Sequence, residues 1–348
     1  MPDKYRVALT ADLYNGDQLL CEDMGLNVLD EQPHLERFNI KEHRSEVGSE
    51  QLEGAQGVLV WAPAITASTV SQADDLLAIS RIGVGFDKVD VAACSAQDVL
   101  VFTTMGAVDR SLAEGTVTFM LALSHNLLIK DRSLRGENFR WTQFDHLGKE
   151  LRDRTFGAVG LGGIATEAIR LLSIFGMNAP IAYDPYVDAA TAMALGVELV
   201  SLDQLMRRAD FISVHCPLSD STRGLIGAEQ IGQMKSDAYL MNTARGGIVD
   251  EDALYDALKH KRIAGAALDV FASEPLTEPP RLAELDNAII TPHAIGMTDE
   301  LMRDIGAAAC QKLVDLSLGR VPEKGLLNPQ VLESSGFQQK WQRLRVGG

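Results

Sequence analysis

Short apolar runs alternate with amphipathic stretches along most of this chain. Residues 5–10, 57–61, 77–82 and 99–103 are brief and almost wholly apolar, the pattern of strands covered on both faces. Segments of helical spacing separate them. Residues 111–128 are nearly uncharged and predict one long helix, while 130–154 are polar, carry Trp141 and Phe144, and predict a connector or interface arm.

From residue 155 the rhythm becomes regular. Strands are predicted at 155–160, 180–184, 198–200, 210–215, 238–242, 264–270 and 288–291, with helices at 164–175, 189–195 and 251–261. Asp250 caps the last of these, and Ser201-Leu-Asp-Gln204 has the form of a capping box opening a further helix. Strands alternating with short helices imply right-handed βαβ units and a parallel sheet. A helix is predicted at 299–318, then a loop with Pro322 and Pro329. The polar, basic tail 338–348 reads as frayed or docked on a partner.

Composition narrows the picture. The 348 residues are 46% hydrophobic and 23% charged, which fits a folded chain of two domains. Acidic residues outnumber basic ones 48 to 32, so a net charge of −16 argues against a nucleic-acid or anionic-membrane partner. Cys21, Cys94, Cys216 and Cys310 are scattered and lack metal-ligand spacing, so no metal is expected. No apolar run approaches the ~20 residues that span a bilayer. The first residues lack the pattern of a secretory signal, and the expected location is the cytoplasm.

Chemistry enters at the loop after the 155–160 strand. Gly160, Gly162 and Ala165 match G-x-G-x-x-A between a strand and a helix. The first glycine permits a tight turn, the second close approach to a pyrophosphate, and the small third residue close packing. Gly163 and Ile164 open the helix, whose N-terminus favours an anion. Asp184 ends the next strand, where an acid can accept hydrogen bonds from a ribose diol. Together these predict a dinucleotide site for NAD.

Three polar residues then follow three successive strands: Arg245, Glu274 and His293. Ligands of open α/β sheets bind beyond the carboxyl ends of strands. The set suits interconversion of a 2-oxo acid and a 2-hydroxy acid. Arg pairs with a carboxylate, His carries the hydroxyl proton, and a carboxylate steadies and orients the imidazolium. His215 ends another strand and is placed on the cofactor side.

The segments Arg81-Ile-Gly-Val-Gly85-Phe-Asp87, Leu112-Ala-Glu114-Gly-Thr116, the glycine loop, Val214-His-Cys-Pro-Leu218, Asn242-Thr-Ala-Arg-Gly-Gly-Ile-Val-Asp250, Leu268-Asp-Val-Phe271 and Thr291-Pro-His293 occur in one order. In them the chain resembles the D-isomer-specific 2-hydroxyacid dehydrogenases, over roughly residues 50–330. The resemblance implies an α/β protein of two Rossmann-like domains with doubly wound parallel sheets, in a formate/glycerate dehydrogenase-like arrangement. A substrate domain of 1–105 plus 298–348 would hold an NAD-binding domain of 106–297 inserted between its halves.

It further implies that Arg245, Glu274 and His293 are catalytic. Gly160, Gly162, Gly163, Ile164, Asp184, His215, Thr116, Thr243 and Asp269 would serve the cofactor, and Val84 and Gly85 the substrate carboxylate. Trp61 and Met105 would face the rest of the substrate, and the assembly would be a homodimer. Three departures stand out: Gly163 replaces the usual Arg or Asn, Trp61-Ala-Pro replaces an Arg-Ser found in phosphoglycerate enzymes, and Met105 replaces a proline. The expected substrate is of glyoxylate or hydroxypyruvate type. The alternatives are 3-phosphoglycerate dehydrogenation and an NAD(H)-sensing corepressor-like protein on the same fold.

Overall fold

The structure is a computed structural model that describes residues 4–135, 139–141 and 143–345. The chain divides into two compact units, Met1–Val108 with Met297–Gly348, and Asp109–Gly296.

The first unit is built on a five-stranded sheet. Its strands are β1 (Tyr5–Leu9), β2 (Leu35–Asn39), β3 (Gly57–Val60), β4 (Ala78–Arg81) and β5 (Leu100–Phe102), all parallel, in the order β2-β1-β3-β4-β5. Edge strand β2 is absent from the hydropathy pattern because only Leu35 of it is buried. The helix Asp299–Ser317 is capped by Thr298 and ties to β4 through Ser80, whose hydroxyl donates to the Ala309 carbonyl.

The tail corrects its expectation. Ser335–Leu344 is a helix capped by Ser334, neither frayed nor reserved for a partner. Phe337, Trp341 and Leu344 are buried, and the Trp341 indole N–H donates to the Leu316 carbonyl at 2.8 Å. Three apolar side chains at helical spacing were enough to seat it on its own unit.

The second unit carries β6 (Phe156–Val159), β7 (Ile181–Tyr183), β8 (Glu198–Leu199), β9 (Phe211–Val214), β10 (Tyr239–Asn242), β11 (Gly265–Leu268) and β12 (Ala288–Ile290). All pairings are parallel, in the order β8-β7-β6-β9-β10-β11-β12. This is the doubly wound order in which the chain reverses direction between its first and fourth strands. Alternate residues serve opposite faces. Phe156, Ala158, Phe211 and Met241 pack with Phe119 and Leu172, while Val159, Ile212, Val214 and Leu240 pack with Leu205 and Leu254. Both faces are covered, which is why the strands read as continuous apolar runs.

The helix expected at 111–128 is two. α1 (Asp109–Ser124) and α2 (Leu127–Ser133) meet at a 56° bend. Asn126 takes a left-handed conformation (φ 53°), and its amide donates to the Leu147 carbonyl. Asparagine tolerates that region, and the apolar pattern runs through the break unaltered. The third helix that matters for the site is α3 (Gly163–Leu172), opening directly on the glycine loop.

Candidate active site

The glycine loop lies at the reversal point of the second sheet. Gly160 has φ +96°, and a Cβ there would come within 2.8 Å of the Cys216 nitrogen and 3.0 Å of the His215 carbonyl carbon, at the end of β9. Only glycine fits that turn. Gly162 is exposed, with open space where a side chain would be, so an anion can reach the backbone at the start of α3. Ala165 is fully buried against the sheet, and Ile164 is half-buried. The loop is held from β7: the Asp184 carboxylate accepts the Leu161 N–H at 2.8 Å and the Tyr186 N–H at 2.9 Å. A small-residue turn, an exposed backbone, a helix N-terminus and an acid at the next strand end fit a dinucleotide.

His215 is only partly buried as a residue, yet its Nε2 is sealed from solvent and lacks a hydrogen-bond partner. Burial pushes its imidazole down to about 4, so the ring is neutral at pH 7. Because the folded value lies below the unfolded one, stability is full above about pH 6.5 and falls as pH drops toward 4. Between pH 7.5 and 5 this one group should cost about 2 kcal/mol. Urea unfolding at both pH values should show a smaller acid loss in His215→Phe than in the wild type; equal losses would contradict this.

Arg245, Glu274 and His293 leave the carboxyl ends of the neighbouring strands β10, β11 and β12. Three contacts tie their loops together. Asn242 shapes the first turn, its side chain accepting the Ala244 N–H and donating to the Arg245 carbonyl. Gly246 follows, pressed so close to the second loop that a Cβ would fall 1.9 Å from the Phe271 carbonyl. The Phe271 N–H donates to Glu274 Oε1 at 2.8 Å, and the other oxygen, Oε2, meets His293 Nδ1 at 2.7 Å. A carboxylate only accepts, so Nδ1 carries the proton and Nε2 is left for chemistry.

His293 itself is strained, at φ +54°. Its N–H donates to the Asp269 carbonyl oxygen at 2.7 Å. The buried Asp269 carboxylate gathers the rest of the loop, accepting from the Thr291 hydroxyl, the Ala294 N–H and the Ile295 N–H. Burial pushes the Asp269 carboxyl up and these donors hold it down. Asp269 is thus the hub that fixes the His293 backbone, a role its sequence position did not disclose. Thr243 is nearly buried beside the Arg245 turn, and Thr116 is fully buried, its hydroxyl donated to the Leu112 carbonyl one turn back.

On the first unit, Val84 and Gly85 are half-buried after β4, and Met105 is exposed after β5. Trp61 is half-buried, whereas Ile65 is wholly in the core and cannot line a site. Three residues here escaped the sequence reading. Asp12 accepts the Ala62 N–H at 2.7 Å, Lys88 donates to the Ala62 carbonyl at 3.2 Å, and the Arg81 guanidinium lies where a Gly83 side chain would be. Among the described residues, no cluster of three or more His, Cys, Asp or Glu could hold a metal.

Residues 117–294 match the family described as D-isomer specific 2-hydroxyacid dehydrogenase, NAD binding domain. The hydroxypyruvate reductase of Thermotoga maritima is 36% identical over 315 residues, 89% of this chain and 97% of that protein. The D-3-phosphoglycerate dehydrogenase of Methanocaldococcus jannaschii is 40% identical over 269 residues, 77% of this chain and 50% of that protein. The chain spans about half the length of the curated phosphoglycerate dehydrogenases it matches. Among solved structures, D-lactate dehydrogenase from Aquifex aeolicus, complexed with NAD and lactic acid, aligns with a TM-score of 0.77 at 28% identity, covering 92% of this chain and 98% of that one. The chain therefore belongs to the D-isomer-specific 2-hydroxyacid dehydrogenase family, and residues 117–294 are its NAD-binding domain.

Proposed function

We propose that this protein interconverts small 2-oxo acids and D-2-hydroxy acids with NAD(H). The observation that carries the reading is the 2.7 Å pairing of Glu274 with His293, tied through Phe271 and Gly246 to the loop of Arg245, in a unit that has a dinucleotide cradle. Oxidation of NADH by the full chain, followed with a panel of 2-oxo acids, tests it; no turnover of any of them refutes it.

His293 Nε2 delivers the proton to the carbonyl oxygen in reduction and removes it from the hydroxyl in oxidation. Glu274 fixes the ring and stabilises its protonated form. Arg245 pairs with the substrate carboxylate, which the backbone of Val84 and Gly85 also serves. NAD(H), when bound, supplies or accepts the hydride. Gly160, Gly162, Gly163 and Ile164 cradle its pyrophosphate, with Asp184 at its ribose and Thr243, His215, Thr116 and Asp269 on the nicotinamide side.

NADH should be preferred over NADPH. A 2′-phosphate about 4 Å from Asp184 would cost roughly 1–4 kcal/mol, and Asp184-Pro-Tyr-Val-Asp188 offers no basic residue to relieve it. Side-by-side kcat/KM values should favour NADH by about fivefold or more; parity would remove Asp184 from this role.

The working form we propose is a cytoplasmic homodimer. Trp141 and Phe144 are 72% and 77% exposed on the arm, beside exposed Leu127, Leu134 and Leu147, and a second copy is the partner that would cover them.

A further inference from the structure

We infer that Asp109 limits how tightly this chain holds the pyrophosphate of its cofactor. The inference rests on reading the glycine loop as the pyrophosphate site. Asp109 is the first residue of α1, and its carboxylate lies against the first turn of α3. A Cβ on Gly163 would fall 2.0 Å from Asp109 Oδ2 and 2.6 Å from Cγ. Gly163 is exposed, is the first residue of a helix, and does not have a positive φ, so its backbone would accept any residue. What excludes a side chain is Asp109. The missing Arg or Asn at position 163 and the carboxylate over it are one feature.

The N-terminus of α3 attracts anions through its dipole and N–H groups. Asp109 already places one negative charge there, and a pyrophosphate brings two more to the same turn. Arg110, the adjacent cation, is turned away onto Glu114 and Glu167, and Glu167 is also held by Arg170. Unit charges about 4 Å apart repel, even at the dielectric of water, by an amount worth about fivefold in affinity. Asp109 thus trades retention of the cofactor for ease of release.

Titrating NADH into the full chain tests this. Asp109→Asn and Asp109→Ala should each tighten the Kd by about fivefold or more, and the gain should shrink at 1 M salt, where charges are screened within about 3 Å. Gly163→Asn alone should weaken binding, and adding Asp109→Ala should restore it, a coupling that independent sites would not show. A Kd that is unchanged or weaker in both Asp109 variants, with wild-type binding intact, overturns the inference alone. Failure of the wild type to bind NADH overturns both it and the glycine-loop reading.

Discussion

Replacing His293 with alanine should lower turnover of the best 2-oxo acid by about 10²–10⁴-fold, the share of a positioned general acid–base, without loss of NADH affinity. The geometry leaves no other imidazole for the task. His215 has a sealed Nε2 and a lowered proton affinity, so it stays neutral. His293 alone is oriented by a carboxylate and exposes its second nitrogen side. Its left-handed backbone adds a complication, since alanine there strains by roughly 1–2 kcal/mol. His293→Asn separates the effects, because asparagine accepts that conformation but cannot relay a proton. Both variants should lose activity alike. Turnover of the asparagine variant within tenfold of wild type would show that His293 matters for loop shape alone.

Glu274→Gln should be milder, since the amide can still accept the Nδ1 proton but no longer offsets the imidazolium charge. Combining it with His293→Ala should add almost nothing, as expected of residues that act as a unit.

The catalytic set was legible because its signals are local. Each residue follows a buried strand at a recognisable turn, and parallel βαβ order brings three consecutive strand ends to one edge. The glycine loop is legible for the same reason, as its spacing encodes backbone needs within six residues. What stayed hidden depends on contacts between distant segments. Asp109 and Gly163 are 54 positions apart, and nothing at either position announces the other. The hub role of Asp269 needs the β12 loop folded back on β11.

The helix break at Asn126 failed for a different reason. Its apolar spacing continues undisturbed, and the turn is fixed by residues 147–149, which return from the arm to bond Ser124 and Asn126. The terminal helix was misjudged from composition. Its basic residues are used rather than solvated, Lys340 donating to the Leu76 and Gln97 carbonyls and Arg343 pairing with Asp75.

Hydroxypyruvate should be reduced with at least tenfold higher kcat/KM than its 3-phosphate. Stripping water from a phosphate without pairing it costs several kcal/mol, so a phosphate-specific site needs converging cations. In sequence the candidate loop shows Trp61, Ala62 and Pro63, with Met105 and Phe86 exposed nearby in the chain. The structure adds one cation to it, Lys88, held on the Ala62 carbonyl. A lone exposed ammonium contributes about 0–1 kcal/mol, too little to offset that desolvation. Arg81, folded over Gly83, already has a partner of its own. The phosphoglycerate dehydrogenases among the relatives make the opposite outcome a concrete one, and Lys88 is where it would originate. If the phosphate is preferred tenfold or more, Lys88→Ala should abolish that preference while sparing hydroxypyruvate. If instead hydroxypyruvate leads and Lys88→Ala changes neither substrate, Trp61 and Met105 set the side-group limit, and Trp61→Arg should raise phosphate turnover relative to hydroxypyruvate.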